Sequence, residues 1–331
     1  MISSKNIRER VKDVEEFLKA EYKLNHEENE RDWKAYEQDY SHRLKEAMRQ
    51  LRPLIDESVS TIKIETGPGR PHQLTLNQRV TLLLLKELFG ESNRMMAAML
   101  DLFSILSGID VSYKTVERLY SDPEVDMALH NLHLLILRKK GVNNIDASGD
   151  GTGYSLSISQ HYASETQRHG DATKESEGEG KKAFIYSFKM IDITSQMYVA
   201  YGTAMKSEKQ AFEKAMIMRE KTGISIRSVR LDRYYSFSSY VERFGDAKVY
   251  VFPRKNATLK GSWEWKRTMT SFVEETEDYL EEYYQREHSE NGFSVDKRRM
   301  GWDIAQRRAD RIDTADFCIV VWHNIFRIGA G

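Results

Sequence analysis

Between Asn144 and Phe252 the chain reads as extended segments interrupted by helices, in an order that few architectures accept. IDASGDGTGYSLSI carries glycine, β-branched residues and alternation, the mark of a strand. KAFIYSFKMIDI and MYVAYGTAM follow as two strands joined by a tight polar turn. Ser207 opens a helix that runs to about Lys221, with Gln210 placed to complete a capping box. SVRLD (228–232) is then a strand, YSFSSYVERF a helix and KVYVF (248–252) a strand. A long helical stretch covers about 265–311, and ADFCIVVWHNIF is either an apolar helix or a buried strand. Three antiparallel strands followed by two strands reached through helices predict an α/β fold: a five-stranded mixed sheet with helices on both faces. The polar stretch 160–182, between the first two strands, reads as a mobile loop.

Upstream the texture is all-helical. Residues 1–65 are densely charged, with Val11, Val14, Leu18 and Tyr22, then Leu44, Met48 and Leu51, at helical spacing. These amphipathic faces need a partner: the chain's own body, a second copy or a DNA end. TGPGRPH (66–72) breaks the pattern as a linker. Residues 66–140 then offer a helix from Thr75, boxed by Gln78, to about Phe89, and a second from about Ser92. An SGID turn and a third helix capped by Ser112 complete a helix-turn-helix pattern. Tyr113, Lys114 and Arg118 fall on the outer face of that third helix, where a groove-reading helix carries its contacts. The strand-bearing region is 141–331.

The 331 residues suggest two to three domains and ample core. Formal net charge is −1, so a nucleic-acid partner has to be sought in local patches. Two exist: residues 253–267, including Lys255, hold five basic residues and one acidic, and 297–311 hold six and two. The single cysteine, Cys318, excludes an internal disulfide and reads as a buried thiol. The first residues are too charged for a signal peptide, and VTLLLL is too short to span a bilayer. The expectation is a soluble cytoplasmic protein with no membrane partner.

Three carboxylates stand where chemistry could use them. Asp150 lies in the first strand, Asp232 ends the fourth, and Glu290 is on a helix after the fifth. Convergent acids repel one another unless a cation neutralises them, and all-oxygen donors suit Mg²⁺ or Mn²⁺. Two such ions could activate a water or a 3′-hydroxyl against a phosphodiester. Asp146 competes with Asp150 for the first position, because i and i+4 on a strand share a face. Tyr283, Arg286, Glu290 and Lys297 fall within an arc of about 60° on a continuous helix. Such a stripe suits a helix laid along a phosphate backbone; it equally suits a solvated face with an Arg286–Glu290 pair. His161 and His288 read as hydrogen-bonding or surface histidines, and Trp263 and Trp265 as core residues, with stacking on a flipped base the sharper alternative.

The spacing Tyr-x2-Arg-x3-Glu-x6-Lys resembles the YREK signature of a group of bacterial and archaeal insertion-sequence transposases. SGDGTGYSLSISQHYAS is similar to the group's first-aspartate block, SVRLDRYYS to its second and HSENGFSVDKRRMGW to its third. The resemblance spans residues 141–331, and extends more weakly over the helix-turn-helix region. It implies a DDE transposase with a ribonuclease H-like (retroviral-integrase-like) catalytic domain. By the same resemblance Asp150, Asp232 and Glu290 hold two Mg²⁺ or Mn²⁺ ions, Asp150 being preferred to Asp146 because DGTG matches the group's Asp-x-Thr-Gly. Tyr283, Arg286 and Lys297 contact DNA. The implied partners are element ends and target DNA, with a homodimer on DNA and a nucleoid-associated location. Only about forty residues separate Phe252 from Glu290, so a large β-rich insertion there is not expected.

Overall fold

The computed structural model describes residues 2–24, 33–63, 73–90, 110–156 and 184–328, with 96, 99–101 and 104 between them. The linker at 66–72, most of the expected second helix of the helix-turn-helix pattern and the 160–182 segment with His161 lie outside the described residues. The described elements are α1 (Ser4–Leu24), α2 (Trp33–Val59), α3 (Leu76–Leu88), α4 (Tyr113–Leu119), α5 (Pro123–Lys139), β1 (Asn144–Leu156), β2 (Phe184–Asp192), β3 (Tyr198–Ala204), α6 (Glu208–Thr222), β4 (Ser225–Leu231), α7 (Ser238–Val241), β5 (Lys248–Val251), α8 (Trp263–Glu274), α9 (Thr276–Tyr284), α10 (Glu287–Met300), β6 (Asp303–Ile304) and α11 (Ala309–Ile328).

The sheet runs β3-β2-β1-β4-β5. β1, β2 and β3 pair antiparallel, whereas β4 joins β1, and β5 joins β4, in parallel. This is the mixed sheet expected. It gains a sixth, two-residue strand, β6, which pairs with Ser155 and Leu156 at the far end of β1. The expected helical stretch 265–311 is thus three helices, a strand and the start of α11. Gly301, at φ 91°, ends α10, and two residues then fit beside β1.

Each sheet face has its own cover. On one lies α6, which comes so close to β3 that a side chain at Gly202 would overlap the backbone of Ala211 and Ala215. On the other lie α10 over β1 and β2, α9 over β4 and β5, and α11 over β3. The segment ADFCIVVWHNIF resolves as helix α11. It is buried on all sides, packed between the sheet and α2, α3 and α5. Cys318 is buried within it. Asp122 caps α5 with Pro123 at its first turn, a helix start written in the sequence as an Asp-Pro pair.

α1 lies on its own chain. Ile7, Val11 and Val14 are buried, and Ser4 and Arg10 bond to Leu259 and Val273 at the two ends of the α8 segment. In α2 the buried face is Ala47, Leu51, Leu54 and Ile55, while Met48, expected to be apolar-facing, is exposed. Thr75 and Gln78 form the capping box expected of α3. Ser207 makes its half of the second one, accepting from the Gln210 N–H. No described helix is long and apolar enough to cross a membrane.

Between the sheet and α11 sits a charged pair with no exposure. Lys189 Nζ stands 3.0 Å from Asp316 Oδ1, close but not aligned as a hydrogen bond. The other carboxylate oxygen of Asp316 accepts from Ser187 (2.6 Å) and Thr203 (2.7 Å), and Lys189 donates to the Tyr154 hydroxyl (2.9 Å). Burial pulls the lysine toward neutrality, but Asp316 and its neighbours hold it above its ordinary value. Removing one partner strands the other charge in the core. Asp316→Ala is therefore expected to lower the unfolding free energy by about 3–5 kcal/mol, measured by urea titration at neutral pH.

Candidate active site

Ser148 and Asp150 point to the α10 face of β1, and Ser148 ties the helix to the strand. The Ser148 hydroxyl donates to the Arg286 carbonyl (2.9 Å) and meets the Ser289 hydroxyl at 3.0 Å, pinning the start of α10 to the strand. Gly151, on the opposite face, leaves room for Glu208 and Tyr235, which are hydrogen-bonded to each other. Gly149 pairs with Leu231, so Asp232 follows directly beside Asp150. There Asp232 caps the short 3₁₀ turn Arg233–Tyr235, accepting from the Tyr234 N–H (3.0 Å).

Asp150 is largely buried, and one carboxylate oxygen accepts its own neighbour's amide, Gly151 N–H, at 2.7 Å. Burial is the main cause that pushes its carboxyl up to about 7. Asp232 and Glu290 add to the rise, while the Gly151 amide and Arg286 oppose it. The three predicted acids thus share one electrostatic neighbourhood. Arg286 occupies its middle: its guanidinium pairs with Glu290 and lies 3.7 Å from Asp232. Burial pulls Arg286 down, but Tyr283, Glu290 and Asp232 together hold it above its usual value. With the guanidinium between them, no three His, Cys, Asp or Glu side chains among the described residues stand close enough to share one ion. The donor set is oxygen-only and rich in negative charge, the chemistry that suits a hard divalent cation.

Asp146 is engaged elsewhere. It takes a two-pronged contact from Arg227 and a hydrogen bond from Ser228, and Arg227 chiefly holds its carboxyl low. The geometry therefore groups Asp150, and not Asp146, with Asp232 and Glu290.

The four-residue stripe is not one helix. The chain turns at Gln285–Arg286, so Tyr283 belongs to α9 while Glu290 and Lys297 belong to α10. The partners at the break come from two strands of the sheet. Arg230, buried in β4, binds the Glu282 carbonyl (3.1 Å) and the Glu282 carboxylate, tying down the end of α9, and Ser148 takes the next carbonyl turn. Tyr283 is consequently buried against Phe252, its hydroxyl pushed up to about 12 chiefly by burial, with the Arg286 guanidinium 5.7 Å from its ring. Lys297 is half-buried over the rings of Trp302 (4.9 Å) and Tyr154 (5.4 Å). Burial, with Lys189 nearby, lowers its affinity for a proton.

The remaining expected contacts are dispersed. Lys255 is exposed and lies 3.3 Å from Glu15 of α1, which also binds Arg233 at 2.8 Å. On α4, Lys114 pairs with Glu117 (2.9 Å), Arg118 is exposed and Tyr113 is half-buried. Trp265 is a core residue, donating to the Thr258 carbonyl (2.8 Å), whereas Trp263 is 72% exposed, against expectation. Residues 253–287 form helices and turns without a strand. His288 hydrogen-bonds Gln196 (2.9 Å), a contact that sequence spacing could not reveal, since Gln196 sits in the β2–β3 turn.

Because the folded protein holds the Asp150 proton more tightly than the unfolded chain does, ionising it costs stability. That cost is absent below about pH 4 and grows as pH rises to about 7. In protein stripped of divalent ions, Asp150→Asn should therefore stabilise the fold at pH 8, by on the order of 2 kcal/mol, and hardly at all at pH 4. Urea unfolding at the two pH values measures this.

No family model matches the chain. A curated protein of Archaeoglobus fulgidus, named as a probable transposase for an insertion sequence element, is 45% identical over 286 residues, covering 86% of this chain and 85% of its own length. Identity of that extent reaches well beyond the acid-bearing blocks into the helical N-terminal half. The chain belongs to the insertion-sequence transposases.

Proposed function

We propose that this transposase is of the DDE type, with a ribonuclease H-like catalytic region. It binds the terminal inverted repeats of its element, cleaves DNA strands at the ends with a divalent metal and transfers the freed 3′ ends to target DNA. The observation that carries this reading is the grouping of Asp150, Asp232 and Glu290 around one guanidinium. The acids come from two adjacent parallel strands and a later helix, in a sheet ordered β3-β2-β1-β4-β5.

In this reading Asp150, Asp232 and Glu290 hold two Mg²⁺ or Mn²⁺ ions. Bound there, the ions would supply a lowered barrier for attack by water or a 3′-hydroxyl and a counter-charge for the leaving oxygen. Everything else falls to the chain. Arg286, once released from Glu290, presents a planar fork to a phosphate at the same place. Tyr283 backs it from the α9 side. Lys297 and Lys255 bind the backbone further out, and Tyr113, Lys114 and Arg118 on α4 contact the element end. Two ends require two such centres, so the working form is a homodimer on DNA, at the nucleoid. No β-rich insertion stands between Phe252 and Glu290, and no step that needs one is assigned.

Purified protein, labelled element ends and Mg²⁺ test the proposal. Wild type should cleave and join; Asp232→Ala and Glu290→Ala should bind the ends in gel shifts yet cleave at background. Cleavage at the wild-type rate by either variant would refute it. Cutting without joining would mark a nuclease, and binding without cutting a DNA-binding protein only.

A further inference from the structure

Among the described residues, Gln196 is the one non-glycine residue with positive φ, at 57°. It closes the turn between β2 and β3, where its backbone N–H donates to the Asp192 carbonyl at 2.8 Å. A left-handed position at the end of a hairpin turn favours glycine, which has no Cβ to crowd the neighbouring carbonyl, or asparagine, whose short amide bonds the local backbone. Such strain persists where the side chain is held by something else.

Here it is held on three sides. The side-chain amide donates to the Ile193 carbonyl (2.7 Å) and to Nδ1 of His288 (2.9 Å). Because an oxygen in that position would face the Ile193 carbonyl, the amide orientation is fixed, and His288 must accept through Nδ1. The Gln196 carbonyl, in turn, lies 2.9 Å from Nε2 of His323 on α11. The other nitrogen of that imidazole is 2.7 Å from Asp296 Oδ1, and Asp296 Oδ2 accepts from Tyr198 (2.8 Å). Asp296 and His288 both belong to α10, eight residues apart, and Glu290 lies between them.

The β2–β3 turn therefore grips α10 at two points: directly at His288, and through His323 at Asp296. Ser148 holds the start of α10 from β1, and the turn supports the helix from the β2–β3 side, where His288 is the grip nearest Glu290 in the chain. We infer that Gln196 is a positioning residue: its amide, through His288, sets the rotation and height of α10 and so the place of the Glu290 carboxylate. The inference rests on the reading of Glu290 as a ligand of the catalytic metal.

The test separates fold from position. Gln196→Gly suits the turn's backbone and removes the amide, so its thermal midpoint should stay within about 3 °C of wild type. Its Mn²⁺ affinity, by calorimetry on the full chain, and its cleavage of element ends should each fall roughly tenfold, as when a partner behind a metal ligand is lost. His288→Ala, which leaves the turn untouched, should give the same loss, and the double variant no further loss. Losses that multiply in the double variant, or wild-type Mn²⁺ binding and cleavage by Gln196→Gly beside a dead Glu290→Ala, would overturn the positioning role alone. Wild-type Mn²⁺ binding by Glu290→Ala would overturn both the role and the reading beneath it.

Discussion

The Arg286 guanidinium, set among Asp150, Asp232 and Glu290, is the interaction around which the candidate site is arranged. Carboxylates placed together at partial burial cannot all be ionised without a cation among them. The chain answers with Arg286, whose backbone is itself fixed by Ser148. That choice explains the broken helix. A straight helix from Tyr283 to Lys297 would carry the phenol on the same exposed edge as the carboxylate. The turn at 285–286 instead sinks Tyr283 behind the guanidinium and brings Glu290 over the strand ends.

Holding such a centre still requires a rigid floor, and much of the polar interior lies beneath it. Lys189 sits opposite Asp150 in the β1–β2 register, and its partner Asp316 comes from α11. Asp296 ties α10 to α11 through His323. These groups are buried and paired with one another, so each fixes a helix against a particular strand position in a way that apolar contacts do not. The same α11 is sheathed on its outer side by α2, α3 and α5, which couples the N-terminal helices to the sheet.

The strand order was legible because alternation, glycine and capping residues are local signals. Thr75 with Gln78 and Ser112 marked helix starts that the fold uses. Motif spacing pointed to Asp150, Asp232 and Glu290, which the fold brings near one guanidinium, while Asp146 is taken up by Arg227 and Ser228. What spacing could not carry was anything decided by distant partners. The break at Arg286 depends on Arg230 and Ser148, more than fifty and more than one hundred residues away. Trp263 and Met48 look like core residues, yet the neighbouring Trp265 and Ala47 fill the available space.

Glu15 of α1 lies 218 residues upstream of Arg233 and binds it, with Lys255 alongside, next to Asp232. The amount of bare positive charge on that flank is therefore governed by a segment at the other extremity of the polypeptide. Any rearrangement that lifts α1 parts two cations from Glu15 at once, and the electrostatic character of the flank is a property of the chain's tertiary arrangement.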